Sequence, residues 1–162
     1  IGVRGQGNGL KRGFARLPNV EIKTLADIDA NLAASRMNDT QLANVATFKP
    51  GFVQDLRRVL DDKDIDAVII ATPNHWHALA TIWALQAGKH VFLEKPMAST
   101  VADCDAIVDA ANAAKGFLMV GHICRFNPRY AAAMQEIVRQ CVEQVLDIHP
   151  PGDRAKRVRR LP

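Results

Sequence analysis

Glu94, Lys95 and Pro96 stand together directly after the apolar run His90 to Leu93. An ammonium at the carboxyl end of a buried parallel strand lies where open α/β sheets bind their ligands. Partly desolvated, it gives up its proton more readily, so it can polarise a substrate hydroxyl or take that group's proton as hydride leaves carbon. Lys95 is therefore the candidate catalytic residue, with Glu94 beside it and Pro96 fixing the backbone behind it. A single lysine at a strand end is ordinarily exposed and structural; the tripeptide context is what argues for chemistry.

A second feature is the amino-terminal stretch IGVRGQGNGL, with glycines at Gly2, Gly5, Gly7 and Gly9. A glycine-rich turn opening a helix presents backbone N–H groups to a pyrophosphate. The spacing is imperfect: counted from Gly2, the second glycine of GxGxxG is Arg4, and counted from Gly5 the third is Leu10. A dinucleotide turn and a glycine-rich surface turn both remain open at this point. Asp27 follows Gly7 by about 20 residues, where an acid accepts hydrogen bonds from an adenosine ribose and repels a 2′-phosphate. That favours NAD over NADP; the competing role for Asp27 is a helix N-cap for a segment beginning near Ile28.

Other constellations are weaker. His75 and His77 flank Trp76, but residues two apart on a helix face away from each other, and no metal is expected there. The run Asp61, Asp62, Asp64 and Asp66 lacks calcium-loop spacing and reads as a solvated turn. His122 and Cys124 have no oxyanion turn to serve them. The three cysteines, Cys104, Cys124 and Cys141, are an odd number without CxxC spacing, which fits a reducing compartment and packing roles.

These residues need elements to hold them. Val20 to Ala26, Asp66 to Thr72, His90 to Leu93 and Phe117 to Val120 read as strands. Gly88 and Gly116 are expected to close the helices before the last two. Helices are expected from the glycine turn to Leu17, over Val53 to Leu60, His75 to Ala87, Val101 to Ala114 with Ser99 or Thr100 as N-cap, and Arg129 to Val142. The alternation predicts an α/β fold, a doubly wound parallel sheet of the Rossmann type. Its central first strand is represented by little more than Ile1, which leaves both neighbouring strand edges uncovered.

The 162 residues suffice for one domain. Apolar residues at 48% and charged residues at 23% are ordinary for a folded chain. No apolar run approaches the roughly 18 residues that would suggest a membrane span. The net charge of +4 comes from Gly152 to Pro162, which holds Arg154, Lys156, Arg157, Arg159 and Arg160 against Asp153. The remainder is neutral, so no nucleic-acid partner is expected for the folded part. His149 to Pro162 reads as a solvated tail.

The sequence ATPNHWHALATIWALQAGKHVFLEKP, from Ala71 to Pro96, resembles the Gfo/Idh/MocA family of glucose-fructose oxidoreductase and inositol dehydrogenase type enzymes. The likeness extends to about Gln140 through Gly121-His122, Arg125 and Pro128. It implies an NAD-binding Rossmann domain over residues 1–140, a divergent helix end and basic tail over 141–162, and no counterpart of the family's substrate domain or its catalytic aspartate and histidine. Gly2, Gly5 and Gly7 would shape the pyrophosphate turn, Asp27 would hold the ribose, and Thr72, Pro73 and Asn74 would line the dinucleotide, with His77 starting the next helix. Glu94, Lys95 and Pro96 would meet the nicotinamide end, and Arg125 would lie near the cofactor.

The implied activity is oxidation or reduction of a sugar or polyol CH–OH, with a noncatalytic dinucleotide-binding or regulatory module as the alternative. The ending resembles a truncated or frameshifted one. Self-association is expected only through the missing domain. A cytoplasmic location is expected, with a leader before Ile1 still open.

Overall fold

A computed structural model describes residues 1–42 and 49–148, and the chain divides into two compact units, Ile1–Gly121 and His122–Pro162. The expected tail, 149–162, lies outside the described residues.

In the first unit the elements follow as α1 (Gln6–Phe14), β1 (Thr24–Ala26), α2 (Ala33–Met37), β2 (Gly51–Val53), α3 (Arg57–Asp61), β3 (Ala67–Ile70), α4 (His77–Gln86), β4 (His90–Leu93), α5 (Val101–Ala113) and β5 (Leu118–Val120). Every strand pair is parallel: β1 with β2, and β3-β4-β5 in that order. Ile1 and Gly2 stitch the two groups edge to edge. Gly2 N donates to Ala26 O at 2.7 Å, the Ile1 ammonium donates to Ile69 O at 2.7 Å, and Ala71 N donates to Ile1 O at 2.9 Å. The order across the molecule is thus β2, β1, the Ile1-Gly2 pair, β3, β4, β5, which reverses direction at that pair as a doubly wound sheet does.

The core forms where β3 and β4 meet α4 and α5. Ile70, Leu93, Ala80, Ala84 and Ile107 are fully buried. The alanines let the helix backbone approach the sheet, and the branched residues fill the layer between. Gly88 ends α4 at φ +76, with Lys89 N donating to Ala84 O at 3.0 Å and Gly88 N to Leu85 O at 2.9 Å, the paired bonds of a Schellman cap. Thr100 caps α5, its Oγ1 accepting from Asp103 N at 3.1 Å. Buried Lys89 donates to the carbonyls of Asp62 and Ile65 at 2.6 and 2.7 Å and so pins the acidic turn below β3. Lys23 pairs with Asp62 and Asp64 in the same turn, and among the described residues no three His, Cys, Asp or Glu side chains gather as metal ligands.

Several expected boundaries move. Val53 ends a strand rather than starting a helix, because Gly51–Val53 finds Thr24–Ala26 as a ladder partner; the helix begins at Arg57, whose N–H is held by Asp55 Oδ1. The first helix stops at Phe14, not Leu17, and the first strand is three residues rather than seven. Gly116 closes no helix: a Cβ there would lie 2.3 Å from Lys89 O, so its lack of a side chain serves close chain packing.

The second unit holds α6 (Ile123–Phe126) and α7 (Pro128–Ile148). Asn127 Oδ1 accepts from Arg129 N at 3.0 Å at the start of α7, and Pro128 occupies a first-turn position that needs no N–H. Among the described residues no helix is long and apolar enough to cross a membrane.

Candidate functional site

The carboxyl ends of the parallel strands and the glycine turn converge within the first unit. Gly2, at φ +78, has no room for a side chain: a Cβ would meet Ala71 O at 2.7 Å. Gly7 is tighter still, with its Cβ position 1.7 Å from Gly2 O. These two glycines let the turn fold back on itself and press against the end of β3. Gly5 differs, because nothing lies within 4 Å of its Cβ position. It leaves open space at the start of α1, where unpaired N–H groups favour an anion.

Asp27 follows β1 directly. Its Oδ2 accepts from Val3 N at 2.9 Å and its Oδ1 from Asp29 N at 3.1 Å, so it ties the glycine turn to the strand end. The expected N-cap position is taken instead by Asp29, which accepts from Asn31 N ahead of the 3-10 turn Ala30–Leu32.

After β3, Pro73 and Asn74 are exposed and Thr72 is half-buried. The buried Thr72 Oγ1 has no hydrogen-bond partner, and neither does Asn8 Oδ1 in α1. Thr81 Oγ1, in the core face of α4, is unpaired as well, so these atoms do not by themselves mark the crevice. His77 was expected beside the dinucleotide. It is instead 1% exposed, its Nδ1 2.7 Å from Pro96 O and its Nε2 2.9 Å from Thr72 O, and it clasps the turns after β3 and β4 together.

Glu94 is buried at the end of β4. Gln6 Nε2 donates to its Oε1 at 3.0 Å, and Lys95 N donates to its Oε2 at 3.0 Å. Lys95 and Pro96 are exposed, so the partial burial expected of Lys95 is not found. The ammonium extends from a fixed backbone into the open. Arg125 lies exposed on α6 in the second unit.

Gln6 escaped sequence reasoning, since nothing in IGVRGQGNGL marks it as a partner of a glutamate 88 residues away. A buried ion cluster behind the turn was equally silent. Lys11 Nζ stands 2.8 Å from Asp39 Oδ2, and Arg12 Nε donates to the same oxygen at 2.7 Å. The Arg12 guanidinium and Lys11 hold the Asp39 carboxyl well below the usual range against the opposing effect of burial.

All of these residues except Arg125 fall inside a stretch with known relatives. Residues 1–122 match the GFO_IDH_MocA family, described as an oxidoreductase family with an NAD-binding Rossmann fold. A glycosyl hydrolase family 109 protein of Shewanella pealeana is 39% identical over 113 residues, which is 68% of this chain and 25% of that protein. The levoglucosan dehydrogenase of Pseudarthrobacter phenanthrenivorans is 38% identical over 109 residues, 65% of this chain and 28% of that one. A solved levoglucosan dehydrogenase in complex with NADH and levoglucosan superimposes with a TM-score of 0.71 at 31% identity, over 86% of this chain and 38% of the other. The chain therefore spans well under half the length of these relatives. On the match over residues 1–122 it belongs to the Gfo/Idh/MocA oxidoreductase family, whose NAD-binding Rossmann fold it carries.

Proposed function

We propose that Ile1–Gly121 binds NAD along the crevice, and that the protein is an oxidoreductase acting on a CH–OH group of a sugar, polyol or related small molecule. The observation that carries this is the Gln6–Glu94 hydrogen bond, which joins the glycine turn to the Glu94-Lys95-Pro96 tripeptide. One extended ligand can then reach from Asp27 to Lys95. The open space at Gly5, at the start of α1, suits its phosphates. Gly2 and Gly7 build the turn, His77 holds the walls, and Asp27 places a carboxylate where NAD rather than NADP is preferred.

When bound, a nicotinamide cofactor supplies the hydride acceptor. Lys95 Nζ polarises the substrate oxygen by a hydrogen bond, and the hydroxyl proton passes to solvent as the carbinol carbon becomes a carbonyl. Thr72, Pro73, Asn74 and Pro96 wall the crevice, and the cofactor role of Arg125 rests on family resemblance alone. Cytoplasmic location accords with the free cysteines. No membrane or nucleic-acid partner is proposed.

A second reading is a dinucleotide-binding module without turnover, favoured by the exposure of Lys95, which leaves it nothing to work against within the first unit. Calorimetric titration with NAD⁺ and NADH, with absorbance at the reduced-cofactor band on addition of polyols, tests both. Binding with turnover that Lys95→Ala abolishes supports the enzyme. Binding without turnover supports the module, and absence of binding removes both.

A further inference from the structure

The adenosine end of the crevice contains a feature that Asp27 does not account for. Each Asp27 oxygen accepts one backbone N–H, from Val3 and Asp29, and keeps a lone pair for a ribose hydroxyl. Two residues on, Asp29 is anchored differently: its Oδ1 accepts from Asn31 N and Asn31 Nδ2, each at 3.0 Å, while its Oδ2 faces the Arg4 guanidinium in an ion pair. Arg4 belongs to the glycine turn, and its side chain is 71% exposed against 28% for Asp29. The arginine is thus the exposed partner, resting on an acid held by the Asn31 amides. Its backbone is fixed as well, because Arg36 donates from Nε to Val3 O at 2.9 Å and from Nη2 to Arg4 O at 3.3 Å.

We propose that the Arg4–Asp29 pair sets the choice between NAD and NADP, with Asp29 masking a guanidinium that would otherwise receive a 2′-phosphate. The proposal rests on the dinucleotide reading above. A guanidinium fork matches a phosphate dianion with two parallel N–H bonds, and does so strongly when no carboxylate competes. With Asp29 present, the acid occupies the fork and, with Asp27, repels added negative charge. Replacing Asp29 by a neutral residue leaves the Arg4 fork at the same doorway with its charge unmatched. An exposed pair of this kind contributes little to folding, so its removal leaves the fold in place.

The test is calorimetric titration of NAD⁺ and NADP⁺ into the full chain, its Asp29→Asn and Asp29→Ser variants, and the Arg4→Ala/Asp29→Asn double variant, each checked for folding by circular dichroism. The expected result is preference for NAD⁺ in the parent, a shift of the ratio toward NADP⁺ by about tenfold or more in either single variant, and loss of that gain in the double variant. An unchanged ratio in folded single variants overturns the proposal, as does a gain that survives loss of Arg4. A parent that binds NAD⁺ while the ratio stays fixed leaves the dinucleotide reading standing. A parent that binds neither dinucleotide overturns both.

Discussion

The imidazole of His77 lies between two carbonyl oxygens, 2.7 Å from that of Pro96 and 2.9 Å from that of Thr72, with almost no exposure to water. A carbonyl can only accept, so whichever ring nitrogen carries the N–H donates to the carbonyl beside it, and the ring fits closely between the two turns. One side chain therefore sets the spacing between the turn after β3 and the turn that carries Lys95.

Replacing His77 by Ala leaves both carbonyls without this partner and a gap in a packed site. We expect a loss of about 2–5 kcal/mol of stability in urea unfolding. Dinucleotide affinity should fall as well, under conditions where the variant remains folded. Unchanged unfolding would show that the clasp contributes nothing.

The glycines of the turn separate by role. Gly7→Ala places a Cβ 1.7 Å from Gly2 O, so the turn cannot close, and we expect a destabilisation of several kcal/mol, or an insoluble product. Gly5→Ala meets nothing in the folded chain and should keep its melting temperature within a few degrees. Its expected defect is in dinucleotide binding, because the new methyl group enters the space reserved for phosphate. Equal affinities for Gly5→Ala and parent would place the phosphates elsewhere.

Asp39 makes stability depend on pH in a direction that can be checked. Arg12 and Lys11 hold its carboxyl well below the usual carboxylate range, so the folded chain keeps it ionised at pH values where the unfolded chain takes up a proton. The stability this supplies is fully present above the unfolded value of about 4 and is lost as pH falls below it. Urea midpoints should therefore drop between about pH 5 and pH 3, and the drop should be shallower in Asp39→Asn. An equal drop in a folded Asp39→Asn variant would show that the ion cluster does not set the acid limb.

What could be read in advance was local. The strand His90–Leu93 has the residues it was expected to have, because an apolar run between a helix-ending glycine and a charged tripeptide leaves little choice. Thr100 caps α5 for the same reason: its partner, Asp103, is three residues away. The failures required distant partners. Val53 resembles a helix start until Ala26 appears beside it as a strand neighbour. His77 resembles a residue facing the crevice until Pro96 folds back over it. The positions of the candidate residues along the chain were legible; the bonds among Gln6, Glu94, Arg4 and Asp29, which decide how those residues are held, were not.

The Ile1-Gly2 stitch bears on mechanics as well as topology. Asp27 belongs to the strands on one side of it and Glu94 to those on the other, and the Val3–Asp27 and Gln6–Glu94 bonds tie both acids to the same glycine turn. A molecule long enough to grip both acids would serve as a cross-brace, stiffening the junction whenever it is in place and letting the flanks breathe when it departs.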